Sequence, residues 1–176
     1  MTRNELAKKI YSASHIIGEF RLRSGQISKE YFDKYLFEGQ PQLLQLIADS
    51  MQSLIPDSID ALAGLEMGGI PIVTMLSQVT GIPALFVRKK AKEYGTCKLA
   101  EGGEIENKRL LIVEDVVTSG GQILLSTIEL RNQRAIVEDV LCVIDRQAGG
   151  SEALANEGLR LQSLFTMSEL KKASMG

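Results

Sequence analysis

One histidine, His15, and two cysteines, Cys97 and Cys142, are all the imidazole and thiol that 176 residues contain. A histidine metal cage needs more than one imidazole, and His15 sits in an apolar segment with helical spacing, so it reads as structural rather than as part of a catalytic triad. The cysteines lie far apart with no paired spacing. That pattern excludes a disulfide framework or a zinc cluster and fits a reducing compartment, the cytoplasm. Cys142 reads as a strand core residue and Cys97 as an incidental loop thiol. Long apolar runs are missing as well. A stretch such as "VLCVI" falls far short of the ~20 residues that span a bilayer, and Glu5, Lys8 and Lys9 stand where a signal peptide would carry its apolar core. Charge of one sign is also lacking: 20 Lys and Arg against 22 Asp and Glu leave a net charge of -2. No global attraction to nucleic acid or to an anionic membrane follows, so neither is an expected partner, and any cationic function must be local. Internal repeats, low-complexity tracts and linkers are absent too, and 44% hydrophobic residues suffice for one core.

Leu6, Ile10, Ala13 and Ile17 recur at helical spacing behind a Thr2-x-x-Glu5 capping box. Leu43, Leu44, Ile47, Ala48 and Met51 predict a second helix facing the core. Between them "EFRLRSGQISKEYFDKYLF" predicts two short strands around a Ser-Gly turn, a flap rather than core. From residue 59 strands and helices alternate: "IDALAGL", then "GGIPIVTMLSQVTG", "PALFV", "RLLIVED", "GGQILLSTIELRNQR", "AIVEDVLCVID" and "LRLQSLF". This is the pattern of an α/β fold, a mostly parallel sheet flanked by helices. Thr166 to Glu169 form a further capping box that predicts a short terminal helix. Residues 88–107 show no periodicity and are polar, charged and rich in glycine, the texture of a functional lid or a disordered segment.

Ligands of open parallel sheets bind at the carboxyl ends of the strands. "LLIVEDVVTSGGQILL" is such an end. The apolar run makes the strand, Glu114 and Asp115 its edge, Thr118 to Gly121 a turn, and the rest a helix whose free N–H groups and dipole favour an anion. The turn lacks the Gly-Lys-Ser/Thr of a nucleoside-triphosphate loop, and "GLEMGG" does not match Gly-x-Gly-x-x-Gly. Paired acids beside an anion site make sense for a mixed ligand, with phosphate at one end and hydroxyls, magnesium or a developing cation nearby. A ribose 5-phosphate unit has that form.

"LLIVEDVVTSGGQ" resembles the phosphoribosyl pyrophosphate signature of type I phosphoribosyltransferases. "FRLRSG", "VRKKAKEYG", "IDRQ" and "GLEMGGIP", in that family's order across about residues 5 to 170, are similar to orotate phosphoribosyltransferases. The resemblance implies a single domain: a small N-terminal hood from about 1–40 with the C-terminal end, a core of about 41–165, and a mobile catalytic loop of about 88–107. It implies attack of an orotate nitrogen on the anomeric carbon of phosphoribosyl pyrophosphate, giving orotidine 5'-monophosphate and pyrophosphate on the route to UMP.

The same resemblance assigns residues. Glu114 and Asp115 would hold the ribose hydroxyls and face the ring as it becomes cationic, with Val116, Val117, Thr118, Ser119, Gly120, Gly121 and Gln122 around the 5'-phosphate. Arg23, Arg88, Lys89, Lys92 and Tyr94 would meet the donor. Arg88, Lys89, Lys90 and Lys92 crowd like charges that a polyanion would neutralise, and Lys92 would act with Arg88, Glu114 and Asp115 in catalysis. Tyr94 stands where many members have histidine; it can donate a hydrogen bond but cannot become cationic near neutral pH. Gly68 and Gly69 would bind diphosphate through backbone N–H groups, so Glu66 must point away or act through magnesium. Tyr31, Phe32, Thr118 and Arg146 would take orotate, the guanidinium gripping the anionic base. Magnesium would arrive with the donor, and a homodimer would share its loops, Lys89, Lys92 and Tyr94 serving the partner's site. Two other readings stay open: a phosphoribosyltransferase for a purine or other base, and a non-catalytic regulator that binds phosphoribosyl pyrophosphate.

Overall fold

The computed structural model describes residues 1–22, 25–91 and 98–176. Helix α1 (Arg3–Ser14) begins at Thr2, whose side chain accepts from the Glu5 N–H while the Glu5 carboxylate accepts from the Thr2 N–H at 2.7 Å. The chain then turns into an antiparallel hairpin, β1 (His15–Arg21) and β2 (Ile27–Phe32). Here the periodicity misleads. Ile17 belongs to β1 and is 83% exposed, and His15, expected in the helix, pairs across the hairpin with Phe32. Strand pairing overrides a helical repeat that β-branched Ile16 and Ile17 support weakly.

Asp33 accepts from the N–H of Tyr35 at 3.1 Å and turns the chain into a single helical turn, α2 (Tyr35–Glu38), where the sequence predicts strand. Helix α3 (Pro41–Met51) follows, with proline at its first position. The alternating half runs β3 (Ala61–Leu65), α4 (Gly69–Thr80), β4 (Ala84–Val87), β5 (Ala100–Glu101), β6 (Arg109–Val117), α5 (Gly121–Asn132), β7 (Ile136–Asp145), α6 (Gly150–Asn156), β8 (Arg160–Thr166) and α7 (Met167–Met175). Thr166 and Glu169 form the capping box of α7.

The larger sheet has the order β5-β4-β3-β6-β7-β8, parallel except at β5, which pairs antiparallel with β4. Thus the segment 88–107 is not irregular throughout. Buried residues divide between the two faces of the sheet. On one, α1, α3, α4 and α7 contribute Ile10, Ile47, Leu76 and Leu170 over Leu111 and Val113. On the other, α5 and α6 contribute Ile123, Leu130 and Leu154 over Leu110 and Ile112. Among the described residues no helix is long and apolar enough to cross a membrane.

Candidate active site

Strand β6 pairs with β3 through Leu110–Val113 and with β7 along nearly its whole length. Chain order steps outward from this pair in both directions, β3 to β4 on one side and β6 to β7 on the other. The gap between β3 and β6 is therefore the topological switch point, where loops diverge and leave a crevice. Helices α4 and α5 both start at this crevice, and neither start carries a side-chain cap. The first N–H groups of a helix have no partner within it, so two sets of backbone donors converge on one opening.

The opening is a cavity of about 380 Å³ lined by Glu66, Met67 and Gly68 from the β3–α4 loop, Lys89, the end of β6 with Glu114 to Val117, the turn Thr118 to Gly121, Gln122 and Ile123 of α5, and Lys34 and Tyr35. Gly120 adopts the left-handed conformation at φ 75°, which lets the turn swing directly into α5. Gly68 is required by space rather than by torsion: a Cβ there would lie 1.6 Å from Oδ2 of Asp115.

Asp115 itself is 0% exposed. Its Oδ1 accepts from the Val116 N–H, and its Oδ2 forms an ion pair of 2.5 Å with the Lys34 ammonium. Burial works against the Lys34 charge, but the hydrogen bond and charge of Asp115 outweigh it and raise its pKa. Two neighbouring acids respond in the other sense. Glu114, half-buried, is pushed up to about 8, first by burial and then by the charge of Asp115. Glu38 at the end of α2 is buried and pushed up to about 9, again first by burial and then by Asp115. Three carboxyls around one ammonium cannot all ionise cheaply, so the site keeps protons that water would strip away.

A second cavity, of about 170 Å³, opens beneath the hairpin and is lined by Tyr31 and Phe32 of β2, Tyr11, His15, Glu30, Arg146, and Met167 and Lys171 of α7. The Arg146 N–H donates to the carbonyl of Val117, which lines the first cavity, so the two adjoin at the end of β6. His15 Nε2 meets Glu30 Oε2 at 2.7 Å, and its ring stacks on Tyr11 at 4.8 Å. Gln147 accepts from the Ser168 hydroxyl at 2.5 Å, tying the segment after Arg146 to α7.

The description "phosphoribosyl transferase domain" fits residues 37–158. An orotate phosphoribosyltransferase of Nocardioides sp. is 52% identical over 168 residues, which are 96% of this chain and 94% of the relative. The chain belongs to the orotate phosphoribosyltransferase family. Among solved structures, the orotate phosphoribosyltransferase of Mycobacterium tuberculosis in complex with Fe(III) dicitrate superposes with a TM-score of 0.87 at 33% identity, over 96% of this chain and 98% of that one. The same enzyme in complex with 5-phospho-α-D-ribosyl 1-diphosphate superposes at 0.82 with 30% identity and the same coverage.

Set against the family's motifs, Glu114 to Gln122, Gly68 and Lys89 share the first cavity, and Tyr31, Phe32 and Arg146 share the second. Gly69 does not line either; it is packed against the Val113 carbonyl, which a Cβ would approach to 2.4 Å. Arg88 turns the other way, to Glu101 of β5 at 3.4 Å, and Lys90 is exposed. Glu66 lines the first cavity, and its Oε1 accepts from the Lys89 N–H at 2.6 Å, which ties the β3–α4 loop to the end of β4. Arg23, Lys92, Tyr94 and Cys97 lie outside the described residues. Sequence reasoning missed Lys34, Glu38 and Lys171. Lys34 and Glu38 lie four apart in "KYLFE", a helical spacing that was available, but their neighbour Asp115 comes from the far side of the fold. Lys171 carries no local signal at all.

Proposed function

We infer that the chain transfers ribose 5-phosphate from phosphoribosyl pyrophosphate to orotate. A ring nitrogen of orotate bonds to the anomeric carbon and gives up its proton, the bond from that carbon to the diphosphate oxygen breaks, and diphosphate leaves with the electron pair. One observation carries the reading: two uncapped helix N-termini converge on a cavity with an acid pair between them. A donor with a phosphate at one end, a diphosphate at the other and a ribose between matches that order of charge.

In this reading Thr118 to Gln122 wrap the 5'-phosphate, and backbone N–H groups near Gly68 face the diphosphate. Glu114 and Asp115 hold the ribose hydroxyls and favour the cationic character that develops on the ring. The adjoining cavity takes the base. Its apolar walls, Tyr31 and Phe32, and two cations, Arg146 and Lys171, suit a flat anionic ring. Hairpin, α1 and α7 act as the hood, and residues 88–107 as a closing loop that excludes water from an activated sugar. Charge-assisted bonds of about 1.5 to 3 kcal/mol each from Lys89 and Lys92, tightening on the leaving group, would supply a few orders of magnitude in rate.

Magnesium enters on the donor. Two carboxylates of the first cavity are engaged, Asp115 by the Lys34 ammonium and Glu66 by the Lys89 N–H, which favours an ion carried by the donor's phosphates. When bound, the ion neutralises diphosphate charge. We place the enzyme in the cytoplasm, as a homodimer whose loops serve each other's sites. Mixing a Lys92→Ala chain with an Asp115→Asn chain then restores activity that neither has alone; no restoration would remove the shared site.

The deciding assay is release of diphosphate from phosphoribosyl pyrophosphate with orotate, uracil, adenine or hypoxanthine. Release with orotate alone is expected. Turnover of a purine without orotate overturns the choice of base, and tight donor binding with no release under any base leaves a regulator instead.

A further inference from the structure

The catalytic scheme leaves one buried acid without a task. Glu38 ends the single turn of α2, is only 6% exposed, and neither of its carboxyl oxygens receives a hydrogen bond from an N–H or hydroxyl donor among the described residues. An ionised carboxylate buried in that state is among the costliest arrangements a protein can hold. Lys34, one helical turn earlier, is ion-paired with Asp115 Oδ2, and the α2 turn thereby brings Glu38 to the same buried carboxyl. Two carboxylates have no proton between them, so a bond there requires that one group carry it. Asp115 already faces two groups that favour its charged form, the Val116 N–H and the Lys34 ammonium. The proton therefore belongs on Glu38.

Charge counting agrees. Glu38 faces Asp115, Lys34 and Glu114, while α1 and α3, which pack on α2, supply apolar residues such as Leu6, Ile10, Leu43 and Leu44 to the surrounding core. With all three acids ionised, a single ammonium would leave two excess negative charges in an enclosed site. A proton on Glu38 removes one of them and turns an acceptor into a donor aimed at Asp115. The raised pKa of Glu38 is in keeping with this placement.

We propose that Glu38 is a positioning residue for the reaction: as a neutral acid it donates a hydrogen bond to Asp115 and, with Lys34, fixes the place and charge of the carboxylate that meets the ribose. The α2 turn thereby couples the segment after the hairpin to the catalytic strand. The proposal rests on the reading that Asp115 engages the donor's sugar.

Glu38→Gln keeps a neutral donor of the same shape, whereas Glu38→Leu keeps the volume and removes the donor. The Leu chain is expected to lose at least about tenfold in kcat with a smaller change in KM for the donor, because the contact matters most as charge builds on the ring. The Gln chain is expected to recover most of that loss. It should also lack an alkaline limb of kcat/KM that the parent shows once Glu38 gives up its proton, since an amide does not titrate there. Equal damage in both variants, at thermal stability close to that of the parent, would overturn the proposal, as would parental kcat in Glu38→Leu or an alkaline limb unchanged in Glu38→Gln. If the Leu chain does not fold, the Gln profile decides alone. Asp115→Asn separates the two layers: parental turnover in that variant refutes the sugar contact itself, whereas a crippled Asp115→Asn beside a parental Glu38→Leu refutes only the role of Glu38.

Discussion

Replacing Gly68 by alanine tests the site's packing with one methyl group. The added carbon would lie 1.6 Å from Oδ2 of Asp115 and 2.3 Å from its Cγ. Ordinary carbon-to-oxygen contacts are about 3.3 Å, so either the carboxyl or the loop must move by about 1.7 Å. Asp115 is buried and held on two sides, by the Lys34 ammonium and the Val116 N–H, so it cannot shift without losing them. Forcing a methyl into a filled site costs about 1 to 3 kcal/mol. Pulling Asp115 off Lys34 leaves a buried charge unpaired, which in fully buried pairs adds about 3 to 5 kcal/mol. The Lys34 side chain is one-third exposed, so solvent screening reduces the second figure to about 1 to 2 kcal/mol and a total of about 2 to 5 kcal/mol follows. At about 2 to 4 °C per kcal/mol for a domain of this size, Tm should fall by about 4 to 20 °C. Misplacing the carboxylate should cost kcat/KM about a hundredfold or more. Gly121→Ala is the control for stability. Its Cβ would meet only Ser119 Oγ at 3.8 Å, so that chain should melt no lower than the parent. A Gly68→Ala protein that melts within about 2 °C of the parent and turns over at the parental rate would refute the close approach of the β3–α4 loop to Asp115.

Arg146→Ala should raise KM for orotate and lower kcat/KM by about tenfold or more while leaving donor affinity within a small factor, measured by initial rates with each substrate varied in turn. Equal losses for both substrates would place Arg146 outside the base cavity. The pH dependence of stability has a defined sign. Glu38 and Glu114 hold protons to about 9 and about 8 in the fold but ionise near 4.5 in the unfolded chain, so the fold binds more protons over that window. Their contribution is complete below about pH 4.5 and is lost as pH rises toward 8 to 9. Glu30 and Glu169, lowered first by hydrogen bonds to His15 and to Thr166 respectively, act oppositely and lose their contribution as pH falls below 4.5. Thermal melts of the free protein should therefore peak near pH 5 and decline toward pH 8.5, and Glu38→Gln should flatten the decline; a Tm that rises steadily from pH 5 to 8.5 would contradict the buried protons.

The alternating half of the chain was legible because β3, β6 and most of β7 are apolar runs that the neighbouring helices bury on both faces, so local pattern and tertiary fate agree. Capping boxes at Thr2 and Thr166 were legible for a similar reason, since donor and acceptor lie three residues apart. The hairpin region was harder. Ile17 completes a helical repeat but pairs with Glu30 in a strand, a partner thirteen residues on that no window of one turn contains. Helix α6 escaped notice because "GSEALAN" is short and follows a left-handed Gly149 rather than a polar cap. In the site, the phosphate turn is continuous in sequence and could be found there. The Lys34–Asp115–Glu38 group joins α2 to β6, and neither partner's local context signals the other.

The placement of the acids follows from what the two helix starts would otherwise do. Backbone donors at α4 and α5 attract anions without discrimination, and a cavity with only those donors would hold sulfate or phosphate as readily as a sugar phosphate. In the proposed reaction the Asp115 carboxylate, with Glu114 protonated beside it below about pH 8, sets a negative strip between the two helix starts, so a ligand must carry its charge at its ends and something neutral or cationic in the middle. Both requirements sharpen as the bond to the leaving group breaks: the ring becomes more positive, the diphosphate more negative, and each moves toward the partner already facing it. A fixed strip does this only if its own charge is stable in a buried place, which is why the ammonium of Lys34 behind Asp115 matters as much as the acids in front. Without it, the low dielectric would drive a proton onto Asp115 itself, and the negative strip would be lost before the sugar arrived.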